Sequence, residues 1–328
     1  MNSHAFAKLS LRTIILGASV IAATAQAQTA YPDRVVKLVV SFAPGGPADV
    51  GGRIIGQALQ DRWGKGVVIE NRGGAGGNIA TTAVARSEPD GYTILATTSA
   101  FSVNLSYYAN PGYAASDLRV AALVATTPNI IVGAPDLAAN TLPDVLTLAR
   151  TQNLAFASAG AGTTPHLSAE RIFRLIGKVD IRHVPFTGAG PAMNAVTAGH
   201  VQLGVVAMTP AIELVKAGKL KAYAITAAAR TPELPDVPTV SETGVGKVED
   251  ATWIALFVPA ATPDAIVSKI NSDANAALRD PAVMRQIARS GLSPLGGSLA
   301  EVANYVSDET RKWGEVVRAV GAKAEESK

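Results

Sequence analysis

Three short glycine-rich stretches hold most of the chain's capacity for chemistry: Pro44-Gly45-Gly46-Pro47, Gly73 to Gly77, and Gly160 to Thr164. Each follows an apolar run of strand type and precedes a segment of helical pattern. The first turn of a helix leaves backbone N–H groups without partners, and the helix dipole adds positive potential there. Amides of this kind suit an anion. One such stretch read alone is equally a tight turn. The set of three, in both halves of the chain, argues for an anion held between two domains.

Catalytic patterns fail on inspection. Gly74-Ala75-Gly76-Gly77-Asn78-Ile79 follows the dinucleotide pattern until isoleucine stands where its last glycine is required, and the run from Gly160 fails likewise at Pro165. There is no Gly-x-x-x-x-Gly-Lys-Ser/Thr loop and no Gly-x-Ser-x-Gly elbow. Beyond the first 27 residues the histidines are His166, His183 and His200, without paired metal spacing, so no metal or cofactor is expected. His183, before Val184-Pro185, reads as a strand-end residue and His200 as a surface turn residue. His166 opens a helix directly after Thr163 and Thr164, a place from which it can face a ligand. Nothing orients it as a base.

The positioning elements alternate. Val35 to Phe42, Val67 to Glu70 and Thr93 to Thr98 read as strands, separated by helices ending near Gly64 and Arg86. A second alternating region starts near Asn129, with strands at Ile130 to Val132, Leu154 to Ala157, Asp180 to Val184, Val201 to Val206 and Leu220 to Thr226. Helices Pro143 to Arg150, His166 to Ile176 and Pro191 to Ala198 lie between them. Trp253 to Val258 returns as a strand, and three helices close the chain. Thr262-Pro263 and Asp280-Pro281 open the first two, and Ser298 with Glu301 makes a capping box for the last, Leu299 to about Val320. Such alternation predicts an α/β fold of two domains, each a mostly parallel sheet flanked by helices.

Composition sets the compartment and size. The 328 residues are 48% hydrophobic and 17% charged, enough core for two domains. Lys8 and Arg12, the apolar Ile14 to Ala23 and the small-x-small Ala25-Gln26-Ala27 form a secretory leader, cleaved after Ala27. Its apolar run is shorter than the roughly 20 residues that span a bilayer. Losing Lys8 and Arg12 lowers the formal charge of +3 by two, and no basic run suggests nucleic acid. The absence of cysteine excludes disulfides and thiolate chemistry.

Tyr31-Pro32-Asp33-Arg34, Phe42-Ala43-Pro44-Gly45-Gly46, Glu70-Asn71-Arg72 and the run Gly74 to Ile79 together resemble the Bug family. These are the solute-binding receptors of tripartite tricarboxylate transporters. Pro89-Asp90-Gly91-Tyr92, Thr164-Pro165-His166-Leu167, His183-Val184-Pro185-Phe186 and Leu234-Pro235-Asp236-Val237-Pro238-Thr239 continue the match in order, from Tyr31 to about Gly321.

The resemblance implies a periplasmic, monomeric, non-catalytic receptor of the Venus flytrap type II. Residues 28-128 and 251-328 would form one domain and 129-250 the other. It would grip a small carboxylate and hand it to integral-membrane transporter subunits. Carried over by position, the ligand-binding residues are Phe42, Ala43, Gly45, Gly46, Gly76, Asn78 and Ser99 in the first domain. Those in the second are Thr163, Thr164, His166, Phe186, Thr187, Gly188 and Val206. Thr187 replaces a lysine common in relatives, and Val206 an aspartate that in amino-acid-binding relatives can meet the ligand's ammonium. A mono-, di- or aromatic carboxylate without an ammonium is therefore expected. A hydrolase or lyase working through His166 is opposed by the missing base–nucleophile pair; the receptor domain of a sensor would carry the same residues.

Overall fold

The computed structural model describes residues 31–322. From Arg34 onward the elements run in the order β1 (Val36–Val40), α1 (Pro47–Trp63), β2 (Val67–Asn71), α2 (Asn78–Ala85), β3 (Thr93–Thr98) and α3 (Ala100–Tyr107). Then come β4 (Leu118–Gly133), α4 (Leu142–Leu148), β5 (Ala155–Ser158), α5 (Thr164–Glu170), β6 (Arg182–Pro185) and α6 (Ala189–Thr197). The chain continues through β7 (Leu203–Ala207), α7 (Ile212–Lys216), β8 (Lys221–Ile225) and β9 (Ala251–Pro259). It closes with α8 (Asp264–Leu278), α9 (Pro281–Arg289), β10 (Ser293–Pro294) and α10 (Leu299–Val320).

Two lobes form around one long strand. The first half of β4 pairs antiparallel with β9, down to Pro128 opposite Ala251. From Asn129 the same strand pairs with β7 and β8 in the second lobe. Proline carries no N–H and fits where a ladder changes partners. The sequence pattern placed only Ile130 to Val132 in a strand here, since Pro128 reads as a break. The parallel expectation holds for β2-β1-β3 and for β6-β5-β7. The strands that cross between lobes join antiparallel, which makes each sheet mixed.

Local chemistry explains the element ends. Gly64 closes α1 in the left-handed conformation at φ 61°, with its N–H bonded to the Gln60 carbonyl. Ser298 accepts from the Glu301 N–H to open α10, and Asp280 accepts from Ala282 and Val283 to open α9. The predicted helix from His166 to Ile176 is α5 followed by a wider π-helical turn, Arg171–Ile176. Both faces of the second sheet are covered by apolar cores, one containing Phe156, Phe173 and Leu203, the other Ile130, Met193 and Val206. Helix α10 packs on the first lobe, and its Trp313, Val317 and Val320 also meet Leu167 of α5. Among the described residues no helix is long and apolar enough to cross a membrane.

Candidate functional site

The C-terminal ends of β1, β3, β5 and β7 meet between the lobes, where open α/β sheets hold ligands. They enclose a cavity of about 20 Å³. Phe42, Thr98, Ala159 and Ala207 line it from these strand ends, and Thr252 from the start of β9. Three helices begin there too: Gly46 and Pro47 open α1, Thr163 and Pro165 open α5, and Ala189 opens α6. Three helix N-termini bring positive potential to one point, while no lining residue carries a charged side chain. A larger groove of about 560 Å³ runs along the flank of α10. It lies away from the glycine loops, and its Arg119 and Arg311 are held by Asp264 and Asp308.

The lobes touch around this cavity. The Ala43 N–H donates to the Thr187 carbonyl at 3.0 Å, and Tyr108 Oη donates to the Ala161 carbonyl at 3.2 Å. Asn104 Nδ2 donates to the Gly76 carbonyl and to Asn78 Oδ1 at 2.9 and 2.7 Å. Gly45 gives its N–H to Asp49 Oδ2 at 3.0 Å. Burial opposes the charge on Asp49, but hydrogen bonds from Arg53 and Asn71 hold its carboxyl below the usual range.

A chain of hydroxyls joins the lobes at the crossing strands. Ser99 Oγ lies 3.0 Å from Thr164 Oγ1, which lies 2.8 Å from Thr252 Oγ1. Thr252 donates to Asn129 Oδ1 at 2.8 Å, and Asn129 Nδ2 donates to Asp250 Oδ1 at 2.9 Å. Asp250 also accepts from Ser168 at 2.8 Å and pairs with Arg171 at 3.3 Å. Full burial raises its carboxyl above the ordinary value, against the pull of Ser168 and Arg171.

The structure sorts the residues singled out from sequence. Phe42, Gly46 and Thr163 line the cavity, while Ala43, Thr187 and Gly188 lie on the seam between lobes. Ser99 and Thr164 sit in the hydroxyl chain. Phe186 packs partly buried against the core that contains Val206, and Val206 is wholly inside that core; its neighbour Ala207 faces the cavity instead. His166 is buried behind the loop, where its Nδ1 accepts the Gly162 N–H at 3.3 Å. Its ring stacks on His183 with centroids 4.0 Å apart, and His183 Nε2 lies 2.6 Å from Ser158 Oγ. Burial, with the neighbouring histidine, depresses His166 to about 3, and burial depresses His183 to about 4. Sequence reasoning passed over Thr98 and Thr252. Thr98 had a signal, a hydroxyl closing an apolar strand just before a helix. Thr252 had none, because it starts an antiparallel strand.

Comparison with known proteins decides the family. Residues 52–322 match the model of the tripartite tricarboxylate transporter family receptor, TctC. The chain belongs to that family. Its members are solute-binding receptors, not enzymes, and the hydrolase alternative falls with that. This TctC receptor is similar to the periplasmic binding protein BugD, with 33% identity and a TM-score of 0.86 over 90% of this chain and 100% of the other. It is also similar to the Rhodopseudomonas palustris proteins Rpa4515, solved with adipate, and MatC, solved with bound malate. Rpa4515 is 32% identical, with a TM-score of 0.85 over 89% of this chain and 99% of the other. MatC is 31% identical, with a TM-score of 0.83 over 88% and 100%. The two-domain α/β binding-protein fold expected from sequence is thereby shared with these proteins.

Proposed function

We propose that this TctC receptor works in the periplasm, after cleavage behind Ala27, as a monomer that captures a small carboxylate and delivers it to integral-membrane transporter subunits. The domains are 28–128 with 251–328, and 129–250, and the ligand sits where they face each other. The observation that carries this reading is the uncharged cavity lining at the meeting point of three helix N-termini. An anion there is stabilised by dipoles and hydrogen bonds. An ammonium group would need a counter-charge, and the lining offers none. Phe42, Pro47 and Pro165 suit an apolar ligand body, so a mono-, di- or aromatic carboxylate is favoured over an amino acid. Adipate and malate in Rpa4515 and MatC support the class.

The test is a thermal-shift panel of succinate, malate, adipate, benzoate, aspartate and glutamate at equal concentration. A ligand at 100 times its dissociation constant adds about 2.7 kcal/mol to stability. The plain acids should include the largest shift. Stabilisation by aspartate or glutamate alone would refute the ligand class, and no shift with any acid would refute the carboxylate reading.

A further inference from the structure

We infer that Thr98 is the side chain that donates a hydrogen bond to the bound anion, whereas the hydroxyls of Ser99 and Thr164 hold the two lobes together. This rests on the carboxylate reading of the cavity and follows from assigning each hydroxyl proton. A hydroxyl has one proton and two lone pairs. Asn129 turns its amide nitrogen to the Asp250 carboxylate, so its Oδ1 faces Thr252 and takes that residue's proton. The 2.8 Å contact between Thr252 and Thr164 must then carry the Thr164 proton. The 3.0 Å contact between Thr164 and Ser99 must in turn carry the Ser99 proton. Thr163 spends its proton on the Gly160 carbonyl at 2.7 Å.

Thr98 differs from all of them. Its Oγ1 accepts the Ala100 N–H at 3.2 Å, and its own O–H meets no acceptor among the described residues. It is 5% exposed and lines the cavity. A buried donor without an acceptor is costly, so the cavity's occupant supplies one. Accepting the Ala100 N–H also polarises the Thr98 hydroxyl outward, which strengthens its bond to an anionic oxygen. Three hydroxyls line this cavity, and on this assignment only one can give.

Titration calorimetry with succinate, malate, adipate and benzoate tests the assignment on wild type, Thr98→Val, Thr98→Ala and Thr98→Ser. The acid bound most tightly by wild type serves as the probe, and melting curves confirm that each variant is folded. Thr98→Val and Thr98→Ala should weaken the probe about 10- to 100-fold, the loss of one hydrogen bond to a charged oxygen. Thr98→Ser, which keeps the proton, should restore binding to near wild type. Unchanged affinity in the folded variants lacking the hydroxyl would overturn the assignment. So would a serine variant as weak as valine, since shape and not the proton would then matter. Failure of wild type to bind any of the four acids is a separate result that removes the carboxylate reading, and the inference with it.

Discussion

His166 and His183 lie face to face at 4.0 Å, with Phe156 stacked on His183 at a centroid distance of 4.8 Å. A charged imidazole in that stack loses its water and gains no carboxylate closer than Glu170, which is 3.9 Å from His166 Nε2. Both rings are therefore neutral in the folded protein down to acid pH, with values of about 3 and about 4. In the unfolded chain both titrate near 6.5. Folded values below unfolded ones mean that the stabilisation is complete above pH 6.5. It is lost as pH falls toward 4, because the unfolded chain takes up protons that the folded one refuses. Between pH 7 and pH 5 each histidine should remove about 2 kcal/mol of stability. Urea unfolding of wild type and His183→Gln at the two pH values checks this: the variant should lose less stability on acidification by about that amount. An identical loss would show that His183 is not buried neutral. The sequence marked His166 by its place after Thr163 and Thr164, and that much was legible. Its orientation was not, because the partner ring comes from β6, 17 positions further along the chain.

At the scale of elements, the glycine loops prove to be the surfaces on which the lobes meet. A methyl group built on Gly190, near the start of α6, would stand 2.5 Å from the Pro44 carbonyl of the other lobe. One on Gly76 would strike the Ala161 carbonyl. The sequence reading placed these glycines correctly at strand-to-helix breaks, because glycine and proline punctuate any pattern. It assigned Gly76, though not Gly190, to the ligand, since spacing cannot say whether a bare backbone approaches an anion or another backbone. Capped elements such as α9 and α10 were legible almost to the residue. Helix α3 was not, since Ala100–Tyr107 carries neither a capping side chain nor a one-sided apolar pattern. The glycine seam gives a test that separates closure from folding. Gly190→Ala adds helix propensity to α6, by up to about 1 kcal/mol, yet obstructs the seam at a cost of about 1–3 kcal/mol. Melting of the free variant should be unchanged or higher, while calorimetry with the tightest-binding acid shows weaker affinity. Wild-type affinity in that variant would mean that the seam need not close on the ligand.

Over the whole molecule, the chain passes between lobes at two adjacent places, Pro128 to Asn129 in β4 and Asp250 to Ala251 entering β9. The sequence reading expects crossings near Pro128 and Asp250. It could not show that they lie side by side in one ladder, a contact that spans more than a hundred residues. Two neighbouring backbone crossings limit the lobes to opening about one axis, in the manner of hinge-closing receptors. Opening is required, because about 20 Å³ holds a single water and no dicarboxylate. Rotation about the crossing strands would break the Ser99–Thr164 and Ala43–Thr187 contacts while leaving the core of each lobe intact. The contacts between the lobes are a few hydrogen bonds, the glycine seam and the packing of Trp313, Val317 and Val320 against Leu167, small beside either core, so the lobes part without unfolding. Small-angle scattering should therefore give a larger radius of gyration for the ligand-free protein than for the protein saturated with its tightest-binding acid. The liganded curve should approach the one calculated for the closed arrangement, with space added only for the ligand. Matching curves at demonstrated saturation would rule out hinge closure and would require the ligand to enter by a path that leaves the lobes in place.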